Sequence, residues 1–274
     1  QIAKFRSKLR SRNISPFTMK SHLSVLKTIL KWALQHKMID YIPHIDMPKT
    51  SKGMKGRPIT QEEFDRILIA VPKVLRIKTV DSWLWLLRGL WWSGLRLSEA
   101  LNLLWVDDSL ISVDFTSDFP MFRFQPEGQK NRKAELVVMA PEFADMIQAV
   151  PANKRRSYVF DPLPQDGRQV RLTEDRIGKL ISRFGKEAGV IVSNKNGKIK
   201  YASAHDFRRS FGTRWAKRIP KDDLKDLMRH KTIATTEEFY LEHDANQTAA
   251  SVWQGFANIS LTSSNSQSDS HLSR

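Results

Sequence analysis

Cysteine is absent from the 274 residues, which excludes disulfides and thiol chemistry and removes the usual ligands of a structural zinc. Long apolar runs are absent as well. The longest, WLWLLRGLWW from Trp83 to Trp92, has about half the length needed to cross a bilayer and contains Arg88. It therefore predicts a buried helix, and no membrane partner is expected. Hydrophobic residues make up 41% of the chain, which is enough for a packed core.

Acidic residues are scarce at the beginning of the chain. Residues 1–57 contain 13 Lys or Arg but only two acidic residues, Asp40 and Asp46, and the whole chain has a formal net charge of +16. A concentrated positive field suits a polyanion, and nucleic acid is the commonest one. A basic face that is merely solvated would have the same composition.

The first 47 residues predict a small helical unit. Ser15-Pro16 is typical of a helix N-cap followed by proline at the first helical position. In the helix that follows, Lys20, Lys27 and Lys31 recur on one face, as contact with phosphates would require, although solvated lysines have the same spacing. The segment PKTSKGMKGRP, rich in Lys, Gly and Pro, predicts a basic linker over residues 48–57.

A second unit is predicted from residue 58, where TQEE offers a capping box from Thr60 to Glu63. We expect helices from there through Leu104, and short strands between Leu110 and Met139, where alternating or β-branched runs are broken by Pro, Gly and Asn. Helical patterns return at three places: Pro141 to Ala149, Thr173 to Ala188, and Ser203 to Lys217. The chain is thus predicted to be mainly α with a small antiparallel β-sheet, with a Ser-rich, flexible tail over residues 256–274.

Three segments hold charged residues that helix propensity does not explain. In SGLRLSEALNLLW, Arg96 follows a Ser93-Gly94 break in an apolar helix. In AHDFRRSFGTRWA, His205 and Arg208 are three residues apart and so share a helical face. The third segment, RHKTIATTEEFYLEHDA, contains His230 and a Phe-Tyr pair. A surface arginine or a solvated His-x-x-Arg pair would explain each of the first two alone.

In this order, SGLRLSEALNL, HDFRRSFGTRWA and LMRHKTIATTEEFY resemble the motifs of the tyrosine recombinases, or phage-type integrases, over roughly residues 58–245. The resemblance implies an integrase-like catalytic domain over residues 58–255, preceded by a helical core-binding domain over residues 1–47. The latter is shorter at its front than is usual in the family, so we expect upstream residues to be missing.

The resemblance also implies a reaction and residues for it. Such enzymes cut DNA without metal or cofactor through a 3′-phosphotyrosyl bond. Arg96 and Arg208 would hold the phosphate oxygens, His205 would assist proton transfer and His230 would hydrogen-bond the phosphate. A lysine on a β-hairpin is the family's general acid: the motif match places Lys130 there, with Lys133 on phosphate or solvent.

Several further residues are assigned supporting roles. Glu99 could orient the Arg96 guanidinium, although a simple intrahelical ion pair is equally consistent with the sequence. Arg229 replaces the family's usual glycine and is expected beside the site, in contact with DNA. The remaining DNA-contact candidates are basic residues of the first helical unit and the linker: Lys20, Lys27, Lys31, Lys52, Lys55 and Arg57.

The nucleophile position departs from the family pattern. The family's tyrosine usually comes nine residues after the histidine, which is Phe239 here, and phenylalanine cannot attack phosphate. Either Phe239 replaces a tyrosine and inactivates this chain, or a one-residue bulge brings Tyr240 to the phosphate. A natural relative that does not cut DNA is the third reading.

The expected partners are double-stranded DNA and further copies of this chain, assembling as a dimer to a tetramer on DNA. A cytoplasmic, nucleoid-associated location follows if the source is a prokaryote or phage. Two other functions remain open: a DNA-binding architectural or regulatory relative that does not cleave, and a type IB topoisomerase, which shares the chemistry but only relaxes DNA.

Overall fold

The chain folds into two compact units, Gln1–Met54 and Lys55–Arg274. The computed structural model describes residues 2–49, 56–106, 110–126, 134–165, 168, 170–195 and 197–230. Helices dominate both units, and the strands form one four-stranded sheet and one two-stranded hairpin. The predicted class, mainly α with a small antiparallel sheet, is confirmed.

The first unit contains two helices, α1 (Ile2–Ser11) and α2 (Pro16–Gln35). The Ser15 hydroxyl accepts a hydrogen bond from the Thr18 backbone N–H, and Pro16 occupies the first helical position, so α2 begins as predicted. A small apolar cluster holds the unit together; its buried members are Leu9, Met19, Leu23 and Ile45.

Helices of the second unit enclose a large apolar core. Their bounds are α3 (Gln61–Val74), α4 (Ile77–Ser93), α5 (Leu97–Leu101), α6 (Pro141–Gln148), α7 (Glu174–Glu187), α8 (Ala204–Trp215) and α9 (Lys221–Leu227). The predicted capping box is present, because Thr60 Oγ1 accepts from the Glu63 N–H while the Glu63 carboxylate accepts from the Thr60 N–H. Aromatic rings join three of these helices: Phe64 of α3 stacks on Trp91 of α4 at 4.3 Å, and Phe207 of α8 meets Phe64 edge-on at 5.6 Å.

The four-stranded sheet has the order β1 (Leu103–Leu104), β2 (Ile111–Asp114), β3 (Met121–Phe124) and β4 (Glu135–Val138). Strand β1 runs parallel to β2, and the other two pairings are antiparallel. Among the described residues, the Phe124–Glu135 pair is the last of the β3–β4 ladder.

Two details differ from the sequence prediction. Helix was expected through Leu104, but α5 ends at Leu101, and Leu103–Leu104 pair with β2 as a strand. Two apolar residues are too few to show whether the hydrophobic periodicity is that of a helix or of a strand. The hairpin of β5 (Ile191–Lys195) and β6 (Lys198–Tyr201) was not predicted.

Gly94 ends α4 in a left-handed conformation, with φ of 64°, and a Cβ there would overlap the buried ring of Phe211. We expect Gly94→Ala to lower the free energy of unfolding by about 2–5 kcal/mol, since backbone strain and overpacking add. Gly189→Ala is the matched control, because Gly189 also has a left-handed φ of 66° but a Cβ there would meet nothing within 4 Å. It should cost only about 1–2 kcal/mol. Urea unfolding at pH 7 measures both, and equal losses would contradict the role given to Phe211.

Candidate active site

Arg208 joins the three segments that the sequence singled out. It lies on α8 with 4% of its surface exposed, and its guanidinium donates to two backbone carbonyls. Nη1 donates to the carbonyl of Gly94, two residues before Arg96, and Nη2 donates to the carbonyl of Met228, two residues before His230. The predicted site residues Arg96, Arg208 and His230 are therefore brought together by one side chain.

Arg96 is placed by the break between α4 and α5. Its backbone N–H donates to Glu99 Oε2 at 2.8 Å and its Nη1 donates to Glu99 Oε1 at 2.6 Å, so one carboxylate fixes both the start of α5 and the arginine head. The Arg96 side chain remains 45% exposed. Arg96 is thus the accessible arginine of the site, whereas Arg208 is buried behind it.

His230 is placed by a Schellman motif at the end of α9. The His230 N–H donates to the Lys225 carbonyl and the Arg229 N–H donates to the Asp226 carbonyl, both at 2.9 Å. In this motif the residue after the helix cap is left-handed and usually glycine, and Arg229 has φ of 50°. This left-handed backbone makes arginine a costlier choice at position 229 than glycine would be.

The Arg229 side chain is held by contacts within the protein. Its guanidinium lies 3.5 Å from the centre of the Phe124 ring, with Nη1 3.2 Å from Glu99 Oε1 and Nε 3.8 Å from Glu135 Oε2. Only 12% of the side chain is exposed. Arg229 therefore lies beside Glu99, and the contacts that the structure gives its guanidinium are with Glu99, Glu135 and Phe124.

The charges of the site are unbalanced. Burial raises the pKa of the Glu99 carboxyl, but the charges of Arg229, Arg96 and Arg208 outweigh burial and leave that pKa below its ordinary value. Glu99 is therefore ionised at neutral pH among three guanidinium groups. The surplus of positive charge suits an anion.

Both histidines are neutral at neutral pH. Burial, followed by the charges of Arg208 and Arg96, lowers the pKa of His230 to about 4. At His205, on the first turn of α8, partial loss of water and then the charge of Arg209 lower the pKa, and Arg208 adds to this. The charge of Arg208 thus reaches both rings, and neutral imidazoles beside arginines can exchange protons or donate hydrogen bonds.

The other predicted site residues belong to the first unit, to the start of the second unit, or to segments outside the described part of the chain. Lys20, Lys27 and Lys31 are exposed on α2 in the first unit. The guanidinium of Arg57 forms a fork with Glu63, at 2.5 and 2.7 Å, and donates to the Ile191 carbonyl at 2.8 Å. The remaining predicted residues lie outside the described part of the chain: Lys52, Lys55, Lys130, Lys133, Phe239 and Tyr240.

Sequence reasoning missed a charged cluster behind His205. Asp206 is fully buried, completes a capping box with Ser203, and pairs with Arg209. Lys200 of β6 approaches the same carboxylate, with Nζ 3.4 Å from Oδ2. The signal available in the sequence was the Ser-x-x-Asp spacing before an apolar helix stripe, which marks a helix start.

The described residues offer neither a metal site nor a membrane span. They contain no group of three or more His, Asp or Glu side chains placed to hold a metal ion. None of their helices has the length and apolar character required to span a membrane.

Several solved structures of integrases and recombinases have a fold similar to that of this chain. The integrase of the transposon Tn1549, in complex with transposon right end DNA, has a TM-score of 0.62 and 17% identity, covering 92% of this chain and 84% of that one. The XerH site-specific recombinase bound to a palindromic difH substrate has a TM-score of 0.60 and 19% identity, covering 92% and 71%. A lambda integrase dimer bound to a core site has a TM-score of 0.57 and 10% identity, covering 89% and 79%. No curated protein sequence matches the chain.

The family follows from a match to its sequence model. The model of the phage integrase family matches residues 57–247, more than half of the chain. With the motifs of Arg96, Arg208 and His230 now joined in one site, the chain belongs to the phage integrase family, the tyrosine recombinases, and the resemblance in the sequence is confirmed.

Replacing Arg229 by methionine should destabilise the protein. Glu99 would keep its burial but lose one of its cations, so we expect Arg229→Met to lower the free energy of unfolding by about 1–3 kcal/mol at pH 7. Arg218→Met is the control, because Arg218 pairs with Glu142 at 3.3 Å and both side chains are about half exposed. It should change stability by no more than about 1 kcal/mol. Urea unfolding compares them, and a smaller loss for Arg229→Met than for Arg218→Met would argue against the pairing with Glu99.

The low pKa of His230 predicts a loss of stability in mild acid. The pKa of His230 is about 4 in the folded protein against an ordinary 6.5, so the unfolded chain takes up its proton first as the pH falls from 6.5 towards 4. Stability should fall across this window, and less in His230→Gln than in the unchanged protein. Thermal unfolding between pH 7 and pH 4.5 measures this, with His22→Gln, an exposed histidine on α2, as the control. Equal pH dependence in the two variants would contradict the burial of His230.

Proposed function

We propose that this chain binds duplex DNA and that its site holds one backbone phosphate for cleavage and rejoining, as in a site-specific recombinase. The observation that carries the proposal is the convergence of Arg96, Arg208 and His230 through the two hydrogen bonds of Arg208. The three guanidinium groups around the Glu99 carboxylate outnumber it, which supports a phosphate as the ligand.

The proposed reaction is attack by a tyrosine hydroxyl on the phosphorus of one strand. A bond forms from the tyrosine oxygen to phosphorus, and the bond from phosphorus to the 5′-oxygen breaks, leaving a 3′-phosphotyrosine and a free 5′-hydroxyl. Arg96 and Arg208 stabilise the charge that develops on the non-bridging oxygens, which is the task that a metal ion performs in other phosphoryl transfers. His205, neutral at pH 7, accepts the proton that the tyrosine hydroxyl loses as its oxygen bonds to phosphorus, and His230 hydrogen-bonds the phosphate.

The leaving 5′-oxygen needs a proton, and we assign its donor to Lys130. The residues that flank the β3–β4 connection, Phe124 and Glu135, both contact Arg229, so this connection begins and ends beside the site. That position supports a lysine from residues 125–134 as the acid, with Lys133 the alternative.

The nucleophile is assigned to position 239, where this chain has phenylalanine. On this proposal the chain binds DNA without cutting it, and Phe239→Tyr restores cleavage. A helical step of one residue rotates a side chain by about 100°, so Tyr240 would need a local bulge to serve instead. The structures of the Tn1549 integrase, XerH and lambda integrase are all complexes with DNA, which supports duplex DNA as the ligand.

The test is a covalent adduct that survives SDS. The chain, its Phe239→Tyr form and the double form Phe239→Tyr, Tyr240→Phe are incubated with a randomised duplex library and separated under denaturing conditions. Adducts with both substituted forms, and none with the chain itself, are expected. Adducts with the chain itself would move the nucleophile to Tyr240, and binding without adducts from any form would make the protein a non-cleaving DNA binder.

The role of Arg96 in phosphate binding can be tested separately in the Phe239→Tyr form. Arg96→Gln should lower the rate of adduct formation by about 100-fold or more, because it removes a charged donor to the transition state. Arg176→Gln, on the exposed first turn of α7, removes an equal charge elsewhere and should leave the rate within about twofold. Equal rates for both variants would remove Arg96 from the mechanism.

A further inference from the structure

The β5–β6 hairpin is basic and approaches α8 through Lys200, whose Nζ lies near the Asp206 carboxylate. Its strands pair antiparallel, and Gly197 in the connection has φ of 73°, as the Asn-Gly sequence of a tight hairpin turn requires. Residues 188–205 contain three lysines and no Asp or Glu. The hairpin thus carries charge of one sign only.

The three lysines share one face of the hairpin. Lys195 lies directly opposite Lys198, and Ser193 lies opposite Lys200, so the alternation of strand side chains places all four on the same side. Like charges directly opposite each other in a sheet are destabilising. Lys195 and Lys198 are exposed, and among the described residues no carboxylate forms an ion pair with either. An external anion between them would remove this repulsion.

This lysine face, defined by Ser193, Lys195, Lys198 and Lys200, leads to the candidate active site. Lys200 at its base approaches Asp206, the residue after His205 on α8. The charge of Lys200 also contributes to the low pKa of His205, after the larger effects of burial and Arg209. Lys195 and Lys198 lie two strand residues, about 7 Å, further from α8 along the hairpin.

We propose that the lysine face binds backbone phosphates of the duplex next to the phosphate held in the active site. The proposal rests on the proposed function, since it extends the same DNA-binding surface. Lysine is suited to this task as a flexible point charge that reads no sequence, so the hairpin contributes affinity and register and leaves base recognition to other elements.

The test is the salt dependence of DNA binding. The dissociation constant for a random-sequence duplex of about 30 base pairs is measured by fluorescence anisotropy from about 50 to 200 mM KCl, a range in which phosphate contacts dominate. The double substitution Lys195→Gln, Lys198→Gln should weaken binding at every salt concentration. It should also make the slope of log K against log salt shallower by about 1–2, since each phosphate contact contributes about 0.9.

Two control variants test whether the effect depends on the position and on the charge of the hairpin lysines. Lys73→Gln, Lys154→Gln removes two exposed lysines from α3 and from the turn at Ala152–Lys154 and should leave the slope unchanged. Lys195→Arg, Lys198→Arg keeps both charges and should retain the slope of the unchanged chain. An unchanged slope for the glutamine hairpin variant, or an equal change in the Lys73, Lys154 control, would overturn the proposal. Absence of salt-dependent binding by the unchanged chain would overturn the proposed function itself.

Discussion

The site depends on the two hydrogen bonds that the buried guanidinium of Arg208 donates to the carbonyls of Gly94 and Met228. Each carbonyl ends a helix, and carbonyls at helix ends lack partners within the helix. One arginine head supplies both partners, and the residues that follow those two helix ends include Arg96 and His230. Arg208 therefore acts on the shape of the site as well as on its charge.

The second constraint is the carboxylate of Glu99. The guanidinium groups of Arg96, Arg208 and Arg229 would repel one another if no anion lay among them. Glu99 forms ion pairs with Arg96 and Arg229, and the charge of Arg208 also lowers its pKa. Its position on the first turn of α5 also suits the helix dipole. The carboxylate thus lowers the electrostatic cost of assembling the arginines without cancelling their charge.

Much of this arrangement was predictable. Capping signals at Ser15 and Thr60 predicted the starts of α2 and α3, and the helical pattern from Ser203 to Lys217 predicted α8, because these signals are local. The order of the motifs gave Arg96, Arg208 and His230, since they match a family pattern. The contacts of Arg57 with Glu63 and Ile191, and of Arg229 with Glu99 and Glu135, were not predictable. Most of these contacts join residues that are far apart in the chain, and the periodicity of a single sequence carries no information about them. The hairpin of β5 and β6 was also missed, because its strands are too short to be recognised from alternation alone.

The residues of the site are far apart in the sequence, so the site can assemble only late in synthesis. The hydrogen bond from Arg208 to Gly94 spans 114 residues. A ribosome adding about 5–20 residues per second needs roughly 6–23 s to make that stretch, so Gly94 emerges long before its partner. During that interval Arg96 has no second arginine beside it. A nascent or truncated chain that ends before α8 therefore has the helices of the first unit but lacks the guanidinium that joins Gly94 to Met228, and the candidate site cannot assemble until α8 has been made.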